Sequence, residues 1–167
     1  GIYVLEAVKL QKHGVSYEDA VKRLDEIKST GRIFFTVGDF EYLRHGGRIG
    51  KLAGVAVSIL GIKPLITLKN GEIYSSGITR SRKKSMTMVI DLLLDYLMEN
   101  GNHIENYHIC VGFGYDKAEA EMFRDKLVQT LTEKGFTVPD IHVYQIGATI
   151  GVHTGPYPLG IGIIEKA

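Results

Sequence analysis

The feature that most constrains this chain is a hairpin signal at residues 62–78. Residues 62–68 and 73–78 are β-rich runs, and Lys69-Asn70-Gly71-Glu72 lies between them. Asn-Gly is a favoured pair for a two-residue turn whose central residues both take positive φ. Two antiparallel strands are thereby set locally, and a hairpin needs further strands or a helix to become stable. Residues 33–37, 107–113, 137–146 and 159–164 read as those further strands.

Helical patterns interleave with them. Residues 2–12 carry Ile2, Leu5, Val8 and Leu10 near helical spacing, with Gly14 as a stop. Ser16-x-x-Asp19 has the shape of a capping box. Tyr17, Ala20, Val21, Leu24 and Ile27 then follow on one helical face, and Gly31 ends the run. Asp39 is placed to cap a short helix to His45, which stops at Gly46-Gly47. Residues 48–60 read as a closely packed helix of alternating small and apolar residues. Thr79 or Ser81 opens a long helix to Asn100, and another spans residues 116–134. Residues 147–158 are punctuated by Gly and Pro and read as irregular. The expected fold is α/β: a mixed sheet containing an antiparallel hairpin, with helices packed on it.

Composition narrows function by exclusion. A net charge of +1 argues against a polyanion-binding surface over the whole molecule, so nucleic acid is not an expected partner. The one cysteine, Cys110, sits in an apolar run, forms no internal disulfide and fits a reducing, cytoplasmic compartment. Residues 52–62 are uncharged but too few to span a bilayer. Residues 141–164 carry no Asp, Glu, Lys or Arg, yet hold two His, two Pro and five Gly, which suits buried protein backbone better than lipid. Residue 1 is Gly and the helical pattern starts at once, as in a piece of a longer protein or a processed one.

Glycine is the compositional anomaly: 20 of 167 residues, of which ten fall in the windows 46–61 and 147–162. The first window follows Tyr42-Leu43-Arg44-His45 and contains Gly46-Gly47-Arg48-Ile49-Gly50-Lys51, a candidate cradle for an anion. It is neither a phosphate-binding GxxxxGK[ST] loop nor a dinucleotide fingerprint. The second window contains Ile150-Gly151-Val152-His153-Thr154-Gly155-Pro156, where His153 and Thr154 can donate to a carboxylate. A third cluster, Arg80-Ser81-Arg82-Lys83-Lys84, opens a helix with positive charge, against the macrodipole. No GxSxG, HExxH or CxxC is present, so no catalytic set or metal site emerges. Three readings stay open on these residues. One is a site for a ligand carboxylate at His153 and Thr154, flanked by apolar runs at residues 52–59 and 141–150. Another is a site for a phosphorylated small molecule at Gly46–Lys51, bound or acted on. The third is a protein-docking module using residues 80–84.

The blocks Phe35–Gly50, Ile62–Glu72, Arg80–Lys84 and Ile150–Gly160, in that order and spacing, resemble the DegV family of bacterial fatty-acid-binding proteins. The resemblance runs along essentially the whole chain. It implies a non-enzymatic protein without cofactor, which holds one long-chain fatty acid between two α/β domains. It also implies a fatty-acid kinase as partner, receiving the acid for phospholipid synthesis, and at most transient contact with a membrane surface. On that pattern His153 lies at the carboxylate end with Thr154 and Gly155, and Arg48 lies near the site or the partner surface. Arg80, Arg82 and Lys83 become a docking or anion-binding set. Residues 1–30 become helices trailing from an N-terminal domain, and 31–167 the lipid-binding C-terminal domain.

Overall fold

The computed structural model describes residues 1–48 and 61–167. The helix expected over residues 48–60 lies outside them from residue 49 onward. In chain order the elements are α1 (Ile2–Lys12), α2 (Tyr17–Ile27), β1 (Arg32–Thr36), α3 (Glu41–His45), β2 (Lys63–Lys69) and β3 (Glu72–Thr79). Then come α4 (Arg82–Glu99), β4 (Tyr107–Phe113), α5 (Lys117–Glu133), β5 (His142–Gln145), α6 (Ala148–Thr154) and β6 (Leu159–Glu165). Short 3-10 turns precede β1 and β4.

The hairpin forms as the turn chemistry requires. Asn70 and Gly71 take φ of 52° and 78°, and β2 pairs with β3 from Lys69↔Glu72 to Lys63↔Thr79, with an irregularity beside Leu65 and Ile66. The sheet grows from this pair to six strands in the order β3-β2-β1-β6-β4-β5. Every neighbouring pair is antiparallel except β4 and β5, which are parallel. The mixed sheet expected from the sequence is therefore present.

Strand alternation sorts the two faces. Phe34, Leu65, Ile109, Val111, Phe113, Leu159, Ile161 and Ile163 form one core with Val89, Ile90, Leu93 and Leu97 of α4 and Phe123, Leu127 and Leu131 of α5. The residues between them on β4 and β6, namely His108, Cys110, Gly160 and Gly162, turn to the opposite face. There α1 covers β4 and β6: Ile2 lies over Gly162, and Glu6 bonds His108. A second apolar cluster, Val37, Phe40, Leu43, Ile62 and Ile66 with Phe35 and Ile73 packed against it, joins β1 and β2 to α3 on this side. Cys110 is a half-buried strand residue whose thiol is pushed up by burial.

Helix starts follow the capping residues. Ser16 Oγ accepts from Asp19 N at 3.1 Å, Ser81 Oγ from Lys84 N at 3.2 Å, and Asp116 Oδ1 from Glu119 N at 2.9 Å. Asp39 accepts from Glu41 N at 2.9 Å, one residue ahead of the cap position itself, which Phe40 occupies.

Two expectations change. The strand expected over residues 137–146 shrinks to His142–Gln145. Pro139 has no N–H to give a ladder, and only β4 is there to pair with. The stretch expected to be irregular before β6 contains α6. On the other side, α1 and α2 leave Val4, Val8, Tyr17 and Val21 exposed around a groove of about 390 Å3.

Candidate functional site

Of the flagged residues that the structure describes, Arg48, Arg80, Arg82, Lys83, His153, Thr154 and Gly155 lie on segments at one end of the sheet. β1, β3, β4 and β5 end there, at Thr36, Thr79, Phe113 and Gln145, while β2 and β6 begin there, at Lys63 and Leu159. α3 follows β1 at this end, α6 lies between β5 and β6, and α4 and α5 start here after β3 and β4.

His153 lies in the last turn of α6, which packs against α3. Its imidazole occupies the space a Cβ would take on Gly46, with Nδ1 at the point of contact. That Nδ1 is buried and has no hydrogen-bond partner among the described residues. Arg48 is exposed and donates from Nη1 to the Gly46 carbonyl at 3.1 Å. Both side chains thus touch Gly46, His153 on its Cα side and Arg48 at its carbonyl. Leu43, one turn earlier in α3, belongs to the second apolar cluster. That cluster is buried, with Leu43 2% and Ile66 0% exposed.

The other two residues of the His153 block have structural roles. Thr154 is buried and donates from Oγ1 to the Ile150 carbonyl at 3.1 Å, one turn back in its own helix. Its hydroxyl proton is thus already engaged. Gly155 ends α6 at φ 73°, its N–H bonded to Gly151 O at 2.8 Å. A Cβ on Gly155 would sit 2.5 Å from Cδ2 of Tyr42, so the ring of Tyr42 fills the room the missing side chain leaves. The chain beyond is fixed by Tyr115 N to Pro156 O at 2.8 Å and Gly114 N to Pro158 O at 3.1 Å. Lys63 Nζ donates to Gly38 O, tying the start of β2 to the exit from β1.

The basic cluster at the start of α4 separates on inspection. Arg80 and Lys83 are exposed. Arg82 instead makes a two-point pair with Glu119 of α5, Nε to Oε1 at 2.9 Å and Nη2 to Oε2 at 2.6 Å. This fork-to-carboxylate geometry is the strong form of an ion pair and locks the two helix starts together. The positive charge left free to meet a partner belongs to Arg80, Lys83 and Lys84. Of the two apolar walls expected, residues 52–59 lie outside the described residues. The 141–150 wall divides: Ile141 and Val143 join the α5 core, while Ile150 is 53% exposed on α6. Residues 49–51 of the anion-cradle motif also lie outside the described residues. Among the described residues no group of three or more His, Cys, Asp or Glu is arranged to hold a metal ion.

The sequence places Tyr42 and Gly46 in the candidate anion-cradle block, not as the packing partners of Gly155 and His153. Both act through space, on partners at residues 155 and 153, so no local pattern could mark them.

Comparison with known proteins decides the family. The model of the DegV family, described as uncharacterised protein of that family, matches residues 1–166. The chain belongs to the DegV family. Among DegV relatives, the protein DegV of Bacillus subtilis is 33% identical over 164 residues, covering 96% of this chain and 54% of the relative. A DegV domain-containing protein of Clostridium perfringens is 30% identical over 170 residues, covering 99% of this chain and 56% of the relative. Among solved structures, a stearic acid-binding protein from Eubacterium ventriosum superposes with a TM-score of 0.89 at 41% identity, covering 99% of this chain and 55% of its own. The fatty acid-binding DegV of Bacillus subtilis gives 0.74 at 30% identity, covering 99% and 56%. The chain thus spans about half the length of the DegV relatives it matches.

Proposed function

We propose that this protein binds a long-chain fatty acid without transforming it, holding the carboxylate at His153 and Arg48. The observation that carries the reading is the meeting of these two side chains at Gly46, beside the apolar cluster of Val37, Phe40, Leu43 and Ile66. A fatty acid needs a donor pair at one end and an apolar wall for the tail. A buried carboxylate left without donors would cost several kcal/mol. The stearic acid bound by the Eubacterium ventriosum relative and the fatty acid binding of the Bacillus subtilis relative support the same ligand class.

Presentation of the acid to a fatty-acid kinase is the finer part of the proposal. Arg80 and Lys83 offer exposed positive charge at the same end of the sheet as His153, suited to an acidic partner surface or a transient contact with lipid headgroups. No helix among the described residues is long and apolar enough to cross a membrane. The cytoplasm is the proposed compartment, in keeping with the lone thiol of Cys110. The boundary between residues 1–30 and 31–167 belongs to the same proposal.

Lipid extracted from the purified full-length protein, analysed by mass spectrometry, tests the ligand class. The expected result is about one fatty acid per protein. His153→Ala is expected to weaken fatty-acid binding roughly tenfold or more, since a hydrogen bond to a charged group contributes about 1.5–3 kcal/mol. Titration with a fluorescent fatty acid measures it; an unchanged affinity removes His153 from the site.

A further inference from the structure

We propose that Gly46 and Tyr42 are positioning residues that fix the His153 ring as an Nε2–H donor, through a reciprocal clasp in which α3 and α6 each seat a ring on a glycine of the other. The inference deepens the fatty-acid reading and rests on it for the identity of the acceptor.

The clasp has two halves. His153 of α6 lies on Gly46 at the end of α3, and Tyr42 of α3 lies on Gly155 at the end of α6. The two glycines are needed for different reasons. Gly155 has φ 73°, a conformation that favours glycine whatever surrounds it. Gly46 has φ −76°, which any residue adopts, so only the ring of His153 demands a glycine there.

The contact also selects a tautomer. Nδ1 faces the Cα of Gly46, is closed to solvent and has no hydrogen-bond partner among the described residues. A proton on Nδ1 would be a buried donor aimed at a C–H group. A lone pair there meets the polarised Cα–H instead, a weak but favourable contact. The neutral ring therefore carries its proton on Nε2. His153 as a whole is half-buried while Nδ1 is closed off, which leaves Nε2 as the ring nitrogen that can serve a ligand. A donor held at one angle serves carboxylate binding better than a ring free to turn, because its ordering cost is met in advance.

The test uses the full-length protein and two readouts. Long-range 1H–15N NMR of the imidazole reports the tautomer without any ligand. Wild type is expected to show the Nε2–H form for His153, and Gly46→Ala is expected to lose it in favour of a mixture. Fatty-acid affinity is expected to fall about tenfold in Gly46→Ala, with no further fall when Gly46→Ala is added to His153→Ala. A purely structural role for Gly46 would make the two losses additive. Should Gly46→Ala not fold, Tyr42→Ala gives the same reading, since it removes a partly exposed ring and introduces no overlap. An Nδ1–H form in wild type, an unchanged tautomer in the variants, or additive losses would overturn the proposal. If His153→Ala leaves fatty-acid binding intact, the carboxylate assignment falls instead, and the tautomer result still decides the clasp.

Discussion

Replacing Gly160 by Val is expected to lower stability by about 3 kcal/mol or more, the top of the usual range for overpacking. Gly160 lies on β6, between β1 and β4 in the middle of the sheet. A Cβ there would overlap Cβ of Phe35 and come within 2.5 Å of the Phe34 carbonyl oxygen and 2.9 Å of Phe35 Cα. Two of these atoms are backbone held by the β1–β6 ladder, so no side-chain rotation relieves the clash. Urea denaturation of the variant should show a much lower midpoint or no cooperative transition. Gly151→Ala is the matching contrast: its Cβ meets nothing among the described residues within 4 Å, and in the interior of α6 the change should range from neutral to about 1 kcal/mol stabilising.

Glu6→Ala is the second large effect, expected to cost about 2–4 kcal/mol. Glu6 is 2% exposed on the inner side of α1. Its Oε1 accepts from Lys9 Nζ at 2.8 Å and lies 2.7 Å from His108 Nδ1, and its Oε2 accepts from the Ala167 amide at 3.3 Å. Truncation leaves the Ala167 amide short of a partner, leaves Lys9 and His108 with only each other, and loosens α1 from β4. Burial alone pushes the Glu6 carboxyl up. The bonds from Lys9, Ala167 and His108 together outweigh it, and the carboxyl lies below its ordinary value of 4.5. A carboxyl lowered on folding stabilises fully above its unfolded value and loses that contribution as pH falls through the folded value. Wild type should therefore lose stability below about pH 4.5 more steeply than Glu6→Gln, which keeps an acceptor oxygen but not the charge. Thermal melts of both proteins between pH 7 and pH 3 measure the difference. Parallel curves would mean that Glu6 is not the group responsible.

How much of this was legible in the sequence depends on distance along the chain. The hairpin could be read because Asn70-Gly71 decides it within two residues. Ser16 and Ser81 cap as expected, because a cap bonds a backbone N–H three residues on, and Asp116 caps α5 in the same way. α6 could not be read in this way. Ala148–Thr154 holds four β-branched residues and a mid-helix glycine, a poor helical sequence. Its packing on α3, with Tyr42 over Gly155, supports it from outside. The strand expected over residues 137–146 failed for a local reason, Pro139, joined to a non-local one, the lack of a second neighbour for β5.

The candidate site divides in the same way. His153 and Arg48 could be flagged from residue type and motif. Their meeting at Gly46 could not, because it joins α3 to α6 across most of the fold. Arg82 looked equivalent to Arg80 and Lys83 in sequence, and only the position of Glu119 on α5 separates them. Glycine shows the limit most clearly. The two glycine-rich windows read as marking a ligand cleft, but the room left by several of these glycines is filled by protein. His153 fills it at Gly46, Tyr42 at Gly155, Phe35 at Gly160, and Cys110 with Ile2 at Gly162. These positions record close packing around the site more than space for a ligand.

Extraction of the purified full-length protein, followed by mass spectrometry and then by titration of the stripped protein with a fluorescent long-chain fatty acid, tests the central claim most directly. Binding at Gly46, His153 and Arg48 predicts close to one fatty acid per protein, and saturable uptake weakened by His153→Ala. A protein that carries no fatty acid and takes none up after stripping would contradict it.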